Sequence, residues 1–180
     1  MPKISISFRP GATIRLALIA GAATALGACA NIAATPPGTP LDQVQAQFGA
    51  PTLVCTARDG KPRAIWSQQP YGQFAWGSDL TPDGRVVRIE PVLTDAHFKV
   101  LAEGEWTPEQ VRCEFGPPAQ IDTVGLPSVR QIVWNYRYRQ DGVWNSLMFV
   151  FFGHDGVRVT KFHPGPDPMY LQGERSPLSY

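Results

Sequence analysis

From residue 39 onward the apolar positions fall into two rounds of the same order, a short helical stretch followed by short stretches of strand alternation. A shared skeleton marks the start of each round. Thr39, Pro40, Asp42, Gln43, Val44, Phe48, Gly49 and Pro51 are echoed by Thr107, Pro108, Glu109, Gln110, Val111, Phe115, Gly116 and Pro118, with one residue fewer after the second Thr-Pro pair. Each copy predicts one helix, with threonine as N-cap, proline at the first helical position and glycine just past the end. In the second copy Gln110 completes a capping box with Thr107, and Trp106 staples onto Val111. Val44 with Phe48, and Val111 with Phe115, lie four apart and share a face.

After the first helix, residues 52–58, 63–69, 73–79 and 85–91 read as strands separated by Asp59-Gly60, Pro70-Tyr71-Gly72 and Thr81-Pro82-Asp83-Gly84. After the second, residues 119–124, 130–139, 143–152 and 157–163 do the same, with turns at Gly125-Leu126-Pro127, Asp141-Gly142 and Asp155-Gly156. Ile132, Trp134, Tyr136 and Tyr138 alternate with Val133, Asn135, Arg137 and Arg139, as a strand with one buried face requires. Residues 93–101, with Thr94 and Asp95 at their start, form an extra leading helix for the second round; the first round lacks one. The expected fold class is α+β: a helix or helix pair on a short antiparallel meander, repeated as units 39–92 and 93–164.

The N-terminus does not fit this pattern. Lys3, Arg9 and Arg15 precede an apolar run over residues 16–26, the length of a signal peptide and too short to cross a bilayer. It ends in Leu26-Gly27-Ala28-Cys29, which resembles the lipobox of bacterial lipoproteins. Residues 1–28 are therefore expected to be removed by cleavage between Ala28 and Cys29, and Cys29 to carry lipid. The competing reading makes Cys29 an ordinary buried cysteine on a short core helix. Among lipoproteins an aspartate after the lipidated cysteine favours inner-membrane retention; Ala30 here implies the outer membrane. Residues 29–38, with Pro36-Pro37, are expected to be a tether. The formal charge is +1 and basic residues do not cluster, so no footprint for nucleic acid is visible. Cys55 and Cys113 either pair in an oxidising compartment or stand as two separate buried thiols.

The second round carries a resemblance. Gly104, Thr107, Val111, Gly116, Pro118, Trp134, Tyr136, Phe152 and the Asp155-Gly156 turn stand where the SmpA/OmlA (BamE-like) lipoprotein domain has a Gly-x-x-Thr-x-x-x-Val helix ending in Gly-x-Pro, a Trp-x-Tyr strand and a final Asp-Gly hairpin. Residues 39–91 follow that pattern more loosely. The helix-plus-meander order is also similar in architecture to the beta-lactamase inhibitor protein fold. The best-known SmpA/OmlA members carry one unit where this chain has two, and no partner-contacting residue maps across.

Sequence motifs for catalysis are absent. His97, His154 and His163 begin no nucleophile or zinc motif, and Asp83 and Asp155 each precede a turn glycine. No enzyme, cofactor or metal is expected. The signal for binding is aromatic: Tyr71, Trp76, Tyr136, Tyr138 and Trp144 are candidates for a partner surface. The run 147–152 is apolar on both strand faces, so either the two units bury each other or part of the sheet awaits a partner. Residues 165–180, with several prolines, read as a flexible tail. The resulting expectation is a non-catalytic, periplasm-facing outer-membrane lipoprotein acting by protein contact in envelope integrity, as an accessory of outer-membrane β-barrel assembly. Its rivals are an inhibitor-like or ligand-binding lipoprotein using the aromatic sheet face, and a purely structural surface lipoprotein.

Overall fold

The computed structural model describes residues 31–171. The leader, Ala28 and Cys29 lie outside them. The described chain contains helix α1 (Leu41–Phe48) and strands β1 (Leu53–Thr56), β2 (Pro62–Ser67), β3 (Ala75–Asp79) and β4 (Glu90–Pro91). Helix α2 (Asp95–Phe98) continues as a 3-10 turn over Lys99–Ala102, and α3 spans Pro108–Phe115. Strands β5 (Gln120–Val124), β6 (Gln131–Gln140), β7 (Trp144–Phe152) and β8 (Val159–Pro166) precede a last turn, α4 (Pro168–Leu171). The strands form two antiparallel four-stranded sheets, each in chain order. The fold class is thus α+β, and the described residues from Ile32 onward cluster as one body.

Local chemistry explains the hairpins and caps. In the three-residue connection between Gln140 and Trp144, Asp141 and Gly142 both have positive φ, 50° and 70°, a left-handed conformation that aspartate and glycine adopt more readily than other residues. Thr107 Oγ1 accepts from the Gln110 amide while the Gln110 side chain accepts from the Thr107 amide, a complete capping box. The first copy is different. Its helix begins one residue later, with Pro40 as N-cap and no side-chain cap, and Thr39 Oγ1 instead donates to the Pro36 carbonyl. The extra residue after Thr39-Pro40 has shifted the capping side chain out of step with the helix.

Strand alternation assigns the faces of the first sheet. Ala64 and Trp66 point to α1 and join Val44, Leu80, Val86 and Ile89 in one core, with the Trp66 indole donating to the Gly49 carbonyl. Cys55, Ile65 and Gly77 share the other face, where α3 packs. Cys55 and Cys113 are joined in a disulfide, their Cα atoms 5.8 Å apart. A side chain at Gly77 would meet Ile65 Cδ1 at 2.9 Å and Val92 Cγ1 at 3.0 Å, so the strand carries glycine where the core closes upon it. Beyond α3 lies the second sheet, whose inner face presents Trp134, Tyr136, Tyr138, Met148, Val150 and Phe152 to Phe98 and Phe115. Helix α3 therefore serves both sheets: the layers run α1, first sheet, α2 with α3, second sheet.

Three expectations change. The expected tether is partly core: Ile32, 7 % exposed, sits in a 3-10 turn against the Val44 cluster. Residues 38–39 are also clamped by backbone bonds between Gly38 N and Val86 O and between Val86 N and Thr39 O. Residues 85–91 are mostly irregular, held by bridges from Arg85 to Pro40 and Val86 to Leu80, and only Glu90–Pro91 pair with β3. The tail expected from residue 165 instead begins as ordered chain. β8 runs to Pro166, and the fully buried Asp167 takes the Arg137 Nε–H at 2.8 Å; residues 172–180 lie outside those described.

Two stability measurements follow. Phe115 is fully buried between the sheets while Phe48 only flanks the first core. Phe115→Ala should cost about 3–5 kcal/mol and Phe48→Ala clearly less in denaturant unfolding; equal losses would contradict the shared position of α3. Paired Cys55→Ala and Cys113→Ala substitutions remove a link across 58 residues. They should lower stability by about 4 kcal/mol on the chain-entropy estimate, with the same change on reducing the native protein.

Candidate interaction surface

The five aromatic residues expected at a partner surface separate into three groups. Tyr136 and Tyr138 are 0 % exposed and belong to the core. Their hydroxyls reach inward partners, Tyr136 donating to the Gly116 carbonyl at 3.1 Å and Tyr138 to Asp95 Oδ1 at 2.8 Å. Expecting them at the sheet's surface was wrong because their strand face is covered by α2 and α3. Trp76 is half-buried and stacks on Phe74. Tyr71 and Trp144 stand exposed, at 77 % and 66 %. The loop carrying Tyr71 is tied to the second sheet: the Gln69 side chain donates to the Arg137 carbonyl at 2.8 Å and that of Gln73 to Asn145 Oδ1 at 2.8 Å.

The outer face of the second sheet is the surface that sequence reasoning did not locate. Register places Val133 beside Phe151 and Lys161, and Asn135 beside Phe149 and His163. The His163 ring lies 5.6 Å from that of Phe149 and 5.3 Å from that of Phe151, and the Lys161 ammonium sits 4.2 Å over Phe151. Val133, Asn135, Phe149, Phe151 and His163, with Asp122 and Val124, line a concavity of about 280 Å³. Asn135 is 3 % exposed; its amide donates to Asp122 Oδ2 at 2.6 Å, while its own Oδ1 has no partner among the described residues. All seven lining residues belong to the second repeat, so no residue of the first repeat lines this concavity. The double-sided apolar run of β7 was the available signal: one side fills the core and the other is left open.

A charged cluster was also missed, because its members come from four elements. Arg63 bridges Asp79 at 2.7 Å and Glu114 at 3.0 Å, and His97 Nε2 lies 2.6 Å from Glu114 Oε1. Burial pushes the Glu114 carboxyl up, but the His97 hydrogen bond and the Arg63 guanidinium outweigh it and hold Glu114 below its ordinary value. Its contribution to stability is thus present above the ordinary carboxylate value and is lost as pH falls through the lowered one. The cluster pins α2 and α3 to the first sheet. Among the described residues no group of three His, Cys, Asp or Glu side chains could hold a metal ion.

The buried tyrosines give an alkaline test. Burial raises both phenols, and for Tyr138 the Asp95 hydrogen bond adds to the rise. A raised folded value means stability that is fully present below the unfolded value of about 10 and is lost as pH climbs above it. Two of the five tyrosines should therefore show phenolate absorbance only as the circular dichroism of the fold is lost; reversible titration of all five in the folded protein would place Tyr136 and Tyr138 at the surface. No protein-family model, curated protein or solved structure matches this chain.

Proposed function

We propose that this is an exported lipoprotein, anchored through Cys29 in the outer membrane, that acts by protein–protein contact in envelope integrity as an accessory of outer-membrane β-barrel assembly. The leader and the Ala28-Cys29 cleavage pattern support export and lipidation. The Cys55–Cys113 disulfide supports an oxidising compartment. The resemblance of the second repeat to the SmpA/OmlA domain supports the assembly role. Contact rather than catalysis rests on one observation: an aromatic concavity formed by Phe149, Phe151 and His163 on a sheet whose opposite face is already filled by its own core.

A photo-reactive phenylalanine analogue at position 151, in cells producing the full chain, should crosslink to an envelope protein of discrete mass. The same analogue at the exposed Val54 of β1 should not, and Cys29→Ala should abolish both the acylated mass and most of the crosslink. No adduct at 151, or equal adducts at both positions, would remove the protein-contact reading. An unacylated mature mass would remove the anchor.

A further inference from the structure

We infer that the corner of the second sheet around Trp144 is a binding site for a neutral sugar ring. The corner lies where β6 turns into β7 and β8 runs into α4. It forms an open cavity of about 450 Å³, within the roughly 300–1,000 Å³ span of small-molecule sites. Trp144 is the first residue of β7 and pairs across the hairpin with Gln140. Its indole is two-thirds exposed, and Tyr170 of α4 and Pro164 of β8 supply further apolar wall. An aromatic ring of this size left in solvent at the mouth of a cavity is a platform for a flat apolar face.

The polar groups of the lining narrow the ligand class. Gln140 Oε1 accepts from the Ser146 hydroxyl at 2.9 Å, and Asn145 Oδ1 accepts from Gln73 Nε2 at 2.8 Å and from Arg139 at 3.2 Å. Both carbonyl oxygens are therefore engaged. The Gln140 side chain shares the indole's face of the sheet, and its NH2 group has no hydrogen-bond partner among the described residues and remains as a donor, whereas the Asn145 side chain lies on the opposite face with Arg139. The one carboxylate in the lining, Asp167, is fully buried and accepts from Arg137 Nε and from the Met169 amide, so its charge is neutralised by Arg137. Among the described residues the lining holds no cation for a phosphate or sulfate, the Arg139 guanidinium being directed to Asn145 on the other face of the sheet, and no free carboxylate for an ammonium. An apolar peptide side chain would cover the indole and strand the Gln140 amide donor, which is costly once water is excluded. A pyranose ring offers both partners at once, a face of C–H groups for the indole and a rim of hydroxyl oxygens for the Gln140 amide. The site is also pre-shaped: the Ser146 hydroxyl holds the Gln140 side chain at 2.9 Å, and the Asp167 amide donates to the Asn145 carbonyl at 3.2 Å, so little ordering is needed on binding.

This goes beyond the proposed protein contact and does not depend on it, since the Trp144 corner shares no lining residue with the Phe149 and Phe151 face. The test is saturation-transfer NMR on the purified full chain with an N-acetylglucosamine trimer and a glucose trimer, which separate an N-acetylated wall glycan from a neutral hexose chain. Inorganic phosphate and a leucine-rich peptide are competitors. At least one trimer should bind, with affinity falling about tenfold or more in Trp144→Ala and several-fold in Gln140→Ala, which keeps the indole, while circular dichroism is unchanged in both. Failure of both trimers to bind, binding unaltered by Trp144→Ala, or displacement by phosphate or peptide in preference to sugar would overturn the assignment.

Discussion

Helix α3 has eight residues and two sheets to satisfy, and the rest of the body is arranged around that constraint. Its Cys113 is bonded to β1 and its Glu114 to Arg63 on β2, while Phe115 stacks on Phe98 at 4.8 Å against the second sheet. A helix this short is marginal alone in water. It is held by its complete capping box at one end, by Gly116 at the other, and by burial on opposite sides between. Gly116 has a φ of 85°, and a side chain there would meet Ile65 Cγ2 at 3.0 Å, so the same glycine ends the helix and lets the first sheet approach. Its carbonyl accepts from Tyr136 of the second sheet, which brings both sheets to one residue.

The elements were legible in the sequence because their signals are local. The repeated Thr-Pro to Phe-Gly skeleton, the Asp-Gly turns and the period-two alternation of β6 each involve residues a few positions apart, and the two helices and two four-stranded meanders follow from them. What joins the repeats was not legible. Nothing in residues 107–116 says that their helix packs against Ile65 as well as Tyr136, since Cys113 and Glu114, which meet the first sheet, add no apolar periodicity to the Val111 and Phe115 face. Ile32 was missed for a related reason: a lone isoleucine among alanines and prolines has no periodicity, and only the open core beside Val44 gives it a place.

The candidate surfaces show the same limit. Alternation separates Tyr136 and Tyr138 from Arg137 and Arg139, yet it does not say which side meets solvent, and the tyrosine side is the one covered by α2 and α3. The polar-looking side then turns out to be lined by Phe149 and Phe151, because β7 is apolar at consecutive positions and its partner strand is not. Strand pairing thus produces an aromatic outer face from residues on β7 and β8 that no single segment would reveal.

The disulfide imposes an order of events on the chain's maturation. Cys55 and Cys113 stand in different repeats, so a chain made N-terminus first presents its first thiol well before the second. The first sheet has one face it can cover with α1, and the other stays bare until α3 arrives. Folding of the early half therefore waits for the later half, and the closing covalent bond records that both have emerged. A chain truncated between the repeats would keep an unpaired thiol and an uncovered sheet, two marks by which an unfinished molecule differs chemically from a finished one.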